Sequence, residues 1–135
     1  MLIMYIDGAC FGNPGLMGIG IVAYKNGKLI KKISERIGNG TNNIAEYSAL
    51  IRALEFAKNI GEHNVEIRSD SELLIKQLNR EYKVKTQHIK ELNRRVRELA
   101  KEMNIKFCWI PREKNKVADS LSNRTAEGET PSKTG

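Results

Sequence analysis

The dipeptide Asn26-Gly27, set between Tyr24-Lys25 and Lys28-Leu29, constrains this chain more than any other feature. Both positions of a two-residue type I′ turn need φ > 0, which Asn and Gly adopt at little cost. The flanking segments, Gly18 to Lys25 with its Ile and Val, and Lys28 to about Ile37, then read as an antiparallel hairpin. Leu2 to Ile6 is a further short apolar run with aromatic and β-branched content, read as the strand that precedes the hairpin.

Beyond the hairpin the period changes. Ala45, Ala49, Ala53 and Ala57, with Leu50, Leu54 and Ile60, form a helical apolar stripe from about Ile44 to Asn59, and Gly61 follows as a stop. Val65 to Ile67 is a fourth strand, and Ser71 to about Leu78 a short helix. Gln87 to Met103 is a charged helix with Ile89, Leu92, Val96 and Leu99 on one face. Ile105 to Ile110 is a fifth strand, ended by Pro111, and a last helix covers about Asn115 to Asn123. The order β-β-β-α-β-α-α-β-α predicts an α/β fold: a mixed sheet with an antiparallel edge, right-handed crossovers and helices packed on the sheet.

Length fits one domain, expected over residues 1–125 of the 135. The remainder, 126–135, turns to Glu, Gly, Thr, Pro, Ser and Lys and reads as a flexible tail. Lys and Arg total 23 against 16 Asp and Glu, a formal charge of +7, which attracts polyanions. Cys10 and Cys108 make neither a CxxC nor a zinc spacing, so reduced thiols and a cytoplasmic location are expected. Leu2 to Ile6 is too short and lacks the basic lead of a secretory signal, and no stretch is long and apolar enough to span a bilayer. No membrane partner is expected.

Four acids fall at places with chemical meaning. Asp7 closes the first strand, Glu46 opens the first long helix, Asp70 closes the fourth strand, and Asp119 lies early in the last helix. Strands one and four should be parallel neighbours, with their carboxyl ends side by side where open α/β sheets place their sites. Each acid also has an ordinary reading. Asn43 to Glu46 fits a capping box with Asn43 as N-cap, Asp70 can start a helix, and Asp119 suits a helix dipole. Asp7 is harder to account for in that way, because an unpaired carboxylate at the end of an apolar strand is costly to bury. A divalent cation removes that penalty. Mg²⁺ takes oxygen ligands, and two such ions suit in-line attack on phosphate.

Asp7-Gly8-Ala9-Cys10-Phe11-Gly12-Asn13-Pro14-Gly15 resembles the opening motif of type 1 ribonuclease H. Thr41 to Glu46 resembles its second motif, Ser69-Asp70-Ser71 its third, and Asn115-Lys116-Val117-Ala118-Asp119 its fourth, in family order up to about Arg124. The resemblance implies a ribonuclease H-like, five-stranded mixed sheet of order 3-2-1-4-5. It also implies two-metal hydrolysis of the RNA strand of RNA–DNA hybrids, leaving 3′-hydroxyl and 5′-phosphate ends. It assigns metal binding and catalysis to Asp7, Glu46, Asp70 and Asp119, with Mg²⁺ as cofactor and Mn²⁺ as a possible substitute. Cys10, Asn13, Thr41, Asn42, Asn43 and Ser71 match hybrid-contacting positions; short amides and hydroxyls can read a 2′-hydroxyl. The Gly12 to Gly15 stretch also reads as an ordinary turn.

Two departures accompany the match. Many relatives carry a histidine in the loop before the last aspartate, whereas this loop reads Pro111-Arg112-Glu113-Lys114; His63 and His88 lie elsewhere and are expected at the surface. Glu113 is the acid available there to shuttle a proton or loosen a metal as product leaves, and it reads equally as a solvent-exposed glutamate paired with a neighbour. Many relatives also carry a basic handle, for which Glu81 to Thr86 is too short. Lys83, Lys85, Lys90, Arg94 and Arg95 are the replacement candidates, each also readable as part of a solvated face. Integrase-like nucleases, a non-catalytic hybrid-binding module and the nuclease domain of a reverse transcriptase are the competing readings. The Thr41 to Glu46 motif, the full set of acids and the initial Met1 weigh respectively against them. The expected partner is the hybrid, bound by a monomer with no obligatory protein partner.

Overall fold

The Asn26-Gly27 turn joins β2 (Gly15–Lys25) to β3 (Lys28–Gly40), with Lys25 opposite Lys28 and both turn residues at positive φ, 52° and 78°. This computed structural model describes residues 1–126, with side chains up to Arg124. The tail expected over 126–135 lies outside the described residues except for Ala126, which closes the last helix. The other elements are β1 (Leu2–Phe11), α1 (Asn42–Asn59), β4 (Asn64–Ser69), α2 (Glu72–Leu78), α3 (Gln87–Ala100), β5 (Asn104–Trp109) and α4 (Lys116–Ala126), with a 3₁₀ turn at Arg112–Lys114. The sheet order is β3-β2-β1-β4-β5, as expected. β1 runs antiparallel to β2 and parallel to β4, and β4 runs parallel to β5.

Alternation divides β1 between two layers. Leu2, Met4 and Ile6 point into the main core, where α1 lays down Ala49, Leu50, Ala53, Leu54 and Ala57 and α3 contributes Ile89, Val96 and Leu99. Each fully buried Leu or Ile there contributes about 2 kcal/mol by leaving water. Tyr5 points to the other face, where α4 packs Ala118 and Leu121 on Val22. Lys28, Lys31 and Lys32 lie exposed on β3. Charge of one sign on that edge strand opposes pairing with another chain. Among the described residues, no helix is long and apolar enough to cross a membrane.

Several boundaries depart from the sequence reading. β1 does not end at Asp7 but continues to Phe11, because β2 pairs with it along that whole length. Its pairing with β4 stops at Tyr5 opposite Arg68, so Asp7 lies beyond the parallel pair but within the antiparallel one. β2 and β3 extend to Gly15 and Gly40 for the same reason: mutual pairing satisfies backbone groups that carry no apolar signal. α3 stops at Ala100, where the chain turns through Met103 toward Asn104, whose amide donates to His63.

Candidate active site

Two glycines bring helices down on opposite faces of the β1–β2 pair. A Cβ on Gly8 would meet the backbone of Ala45 and Glu46, so glycine there lets the first turn of α1 cross β1. A Cβ on Gly20 would meet Ala118, Leu121 and Ser122, so glycine there lets α4 settle on β2. Asp7 pairs in register with Gly20 and immediately precedes Gly8. The two close approaches therefore deliver Glu46 from one helix and Asp119 and Ser122 from the other to the same strand position.

The resulting cleft is lined by Asp7, Glu46, Asp70 and Asp119, together with Cys10, Asn42, Ser71, Arg112 and Asn123. Asp7, Glu46 and Asp70 converge most closely, each offering an oxygen within 4.8 Å of the others. Asp119 lies outside that triad, close enough to Asp7 to raise its pKa. Asp70 stands just past the end of β4, held through its Oδ2 by the Nδ2 of Asn115 at 3.1 Å. Asn115 also donates to the carbonyl of Ile6 at 2.9 Å, tying the start of α4 to β1. The Ser122 hydroxyl donates to Asp7 Oδ2 at 2.7 Å, and Asn123 Nδ2 donates to Asp119 Oδ1 at 3.0 Å.

Glu46 does not complete a capping box. Thr41, not Asn43, is the N-cap of α1, its hydroxyl accepting from the amide of Ile44. Glu46 instead accepts the amide of Gly8 at 2.7 Å. The physical reason is the crossing at Gly8, which offers Glu46 a partner on β1.

The cluster concentrates negative charge. Burial pushes Asp7 up to about 8, with Asp70 and Asp119 adding to the rise and the Ser122 hydrogen bond opposing it. Burial also holds Glu46 well above the usual carboxylate range, reinforced by Asp7 and Asp70 and opposed by the Gly8 amide and Arg112. Three converging carboxylates, two of them held against ionisation, make a donor set that suits a hard divalent cation.

Of the expected nucleic-acid positions, Cys10, Asn42 and Ser71 line this cleft. Cys10 approaches the carbonyl of Gly40 at 3.1 Å, and Asn13 accepts the amide of Asn42 at 3.0 Å, tying the Gly12–Gly15 turn to the start of α1. Ser71 caps α2 and lines the cleft. Asn43 lines a separate groove of about 510 Å³ with Gln77, Tyr82, Lys83 and Lys85. Arg94 and Arg95 pair with Glu98 and Glu55. His63 and His88 are exposed, as expected.

Glu113, expected to be a proton shuttle, lines a different pocket with Tyr5 and Tyr24, while its neighbour Arg112 lines the carboxylate cleft. The 3₁₀ turn accounts for this, since successive residues on it point in different directions. Sequence reading missed the site roles of Arg112, Ser122 and Asn123. The last two were visible as polar residues three and four positions after Asp119, on the same helix face.

The family described as "Reverse transcriptase-like" matches residues 5–125. The chain is 36% identical over 125 residues to Ribonuclease HI of Halobacterium salinarum, covering 91% of this chain and 63% of that relative. It is 33% identical to a bifunctional protein of Mycobacterium tuberculosis, covering 90% of this chain but 34% of that relative. The chain thus spans less than two thirds of the length of either. The crystal structure of the halobacterial ribonuclease H1 superposes with a TM-score of 0.90 at 36% identity, covering 93% of this chain and 97% of that one. LC11 ribonuclease H1, solved in complex with an RNA/DNA hybrid, superposes with a TM-score of 0.87 at 43% identity, covering 92% and 95%. With the sheet order, the carboxylate cleft and these likenesses together, the chain belongs to the reverse transcriptase-like family and, within it, to the type 1 ribonucleases H.

Proposed function

We propose that this protein is an endonuclease that hydrolyses the RNA strand of RNA–DNA hybrids, leaving 3′-hydroxyl and 5′-phosphate ends. The observation that carries the reading is the convergence of Asp7, Glu46 and Asp70 within 4.8 Å, with Asp119 in the same cleft. A metal-dependent phosphodiesterase needs such a donor set, and the ribonucleases H to which the chain is similar support the reading. Mg²⁺ is the proposed cofactor, held by Asp7, Glu46, Asp70 and Asp119, with Mn²⁺ as a substitute. When bound, two such ions supply a water activated for attack and charge to stabilise the leaving oxygen.

The chain's own residues arrange the rest. Asn115 and Ser122 orient Asp70 and Asp7. Cys10, Asn42 and Ser71 line the cleft with short polar groups, and with Asn13, Thr41 and Asn43 they are the residues proposed to contact the wide minor groove and 2′-hydroxyls of the RNA strand. A monomer in a cytoplasmic setting is proposed with it; the two free cysteines, Cys10 and Cys108, fit a reducing compartment.

The test is cleavage of a hybrid labelled on its RNA strand, with Mg²⁺ and with chelator, by the parent and by Asp7→Asn, Glu46→Gln and Asp70→Asn. The expected result is RNA-strand cleavage that requires the cation and is lost in all three variants. Normal turnover by Asp7→Asn overturns the assignment, and a product ladder from duplex DNA favours an integrase-like nuclease instead.

A further inference from the structure

The three acids that converge in the cleft each accept a hydrogen bond from a neutral donor. Glu46 accepts the Gly8 amide on Oε1 at 2.7 Å, Asp70 accepts the Asn115 side-chain amide on Oδ2 at 3.1 Å, and Asp7 accepts the Ser122 hydroxyl on Oδ2 at 2.7 Å. Each acid therefore has one oxygen engaged by the protein, and the three bring one oxygen apiece within 4.8 Å of one another. A cation entering the cleft meets carboxylates whose second oxygens are already in use.

Of the three donors, Ser122 is the one whose whole contribution is a single hydroxyl. The Gly8 amide is part of the β1 backbone, and Asn115 also donates to the Ile6 carbonyl. Ser122 is 0% exposed on α4, one helical turn past Asp119, and faces an Asp7 that is itself 6% exposed. Its Oγ also lies 2.9 Å from the Asp119 carbonyl, a common contact for a helical serine. A hydroxyl has one proton to give, and two facts assign it to Asp7. The Asp119 carbonyl already accepts Asn123 Nδ2 at 2.9 Å. The Asp7 bond is the shorter of the two, and its acceptor carries charge whenever a cation is bound. Asp119 reaches Asp7 as well, but once both are ionised it has no proton to give.

The number of oxygens an acid can offer discriminates between cations. Mg²⁺ is small, demands octahedral geometry, keeps several waters and takes few protein oxygens. Ca²⁺ is larger, takes about six to eight oxygens, and readily binds a carboxylate through both of its own. An acid with one oxygen tied down suits the first ion and denies the second a ligand.

We propose that Ser122 is a positioning residue that sets which divalent cations the cleft prefers: by holding Oδ2 of Asp7, it leaves that acid one oxygen to give, which favours Mg²⁺ over Ca²⁺. The inference rests on the cleft being a cation site, as proposed above. Hydrogen bonds to ligand side chains orient the ligating atoms, and their loss commonly changes metal affinity by about tenfold or more. Without the Ser122 hydroxyl, Asp7 is free to turn both oxygens toward a larger ion. α4 thus supplies the cleft with Asp119 and, one turn later, with a determinant of its cation specificity.

The test is calorimetric titration of the chelator-stripped protein with Mg²⁺ and with Ca²⁺, in the parent, Ser122→Ala and Ser34→Ala. Ser34 donates its hydroxyl to the Leu121 carbonyl at 2.7 Å, so Ser34→Ala loosens α4 from β3 without touching Asp7. The ratio of Ca²⁺ to Mg²⁺ affinity should rise about tenfold in Ser122→Ala and stay within about twofold of the parent in Ser34→Ala. Infrared difference spectra on adding Ca²⁺ read the same point in the parent, without relying on a variant that folds. The splitting between the antisymmetric and symmetric carboxylate stretches should be that of monodentate ligation, and Ser122→Ala should gain a bidentate band. An unchanged ratio in Ser122→Ala, an equal change in Ser34→Ala, or a bidentate band in the parent would each overturn the proposal. Mg²⁺ binding by the parent with an unchanged ratio in Ser122→Ala removes the role of Ser122 alone. No binding by the parent overturns the proposal together with the reading of the cleft as a cation site.

Discussion

Asp7 stands in the body of a paired strand, and its stability effect follows from that position. Burial and neighbouring charge raise it from 3.8 to about 8, so between those values the folded chain holds a proton that the unfolded chain has released. The stability this proton linkage contributes is fully present below pH ~4 and is lost as pH rises through about 8. Glu46, also raised, acts in the same direction. In chelator, the melting temperature should fall as pH rises through that window, and Asp7→Asn should flatten the fall. A difference of ~1 kcal/mol corresponds to roughly 4 °C for a domain of this size. Parallel pH profiles for the parent and Asp7→Asn would contradict the assigned shift. Arg112 and Glu113 make a second pair of expectations. Arg112 eases ionisation of Glu46 and lines the cleft, so Arg112→Ala should lower kcat/KM about tenfold, the equivalent of ~1.4 kcal/mol, and move the acid limb of the pH profile upward. Glu113 lines the other cavity, so Glu113→Gln should hold kcat within about twofold. A loss of about tenfold or more in Glu113→Gln would restore the shuttle expected from sequence.

α1 and α4 are placed by backbone contact, and their defining residues are not the apolar ones. Thr41 caps α1, so Thr41→Ala should cost about 1 kcal/mol in chemical denaturation, whereas Asn43→Ala removes no cap. An equal or larger loss in Asn43→Ala would return the cap to the position read from sequence. Gly20→Ala drives a methyl group into the backbone of α4, so it should destabilise the protein by about 1–3 kcal/mol, as overpacking does. Hybrid cleavage should drop with it under conditions where the variant is folded, because α4 carries Asp119 and Ser122. Full activity in folded Gly20→Ala would show that α4 can shift without disturbing the cleft. The hairpin, the alanine stripe of α1 and the charged helix α3 were legible because each writes its own period into the chain. The extensions of β1 and β3, the Thr41 cap and the 3₁₀ turn at Arg112–Lys114 were not. They depend on which backbone groups find partners, and polar or glycine-rich stretches carry no periodic mark.

Taken whole, the molecule combines a net charge of +7 with a locally acidic cleft. The two suit one substrate class: distributed Lys and Arg attract phosphates, while the cleft attracts divalent cations. Hybrid binding should therefore weaken steeply with salt, with a log–log slope that reports the number of phosphates contacted. A binding constant that is flat between low and physiological salt would mean that the basic surface takes no part. Mg²⁺ should raise the melting temperature at about pH 8 and above, where Asp7 ionises and the carboxylates repel one another, and should do so less in Asp70→Asn. Equal stabilisation of the parent and Asp70→Asn would place the ion elsewhere.

Sequence alone was enough for the kinds of element, their order, the mixed sheet and the identity of the four acids, because period, turn chemistry and motif order are local properties. Tertiary structure decided how those acids meet. Gly8 and Gly20 act only when a helix is pressed against them, and the Glu46–Gly8 and Asn115–Asp70 bonds join residues 38 and 45 positions apart. The separation of Arg112 from Glu113 into two cavities was equally beyond reach, since adjacent residues on a tight turn point wherever the packing of β1 and α4 leaves room.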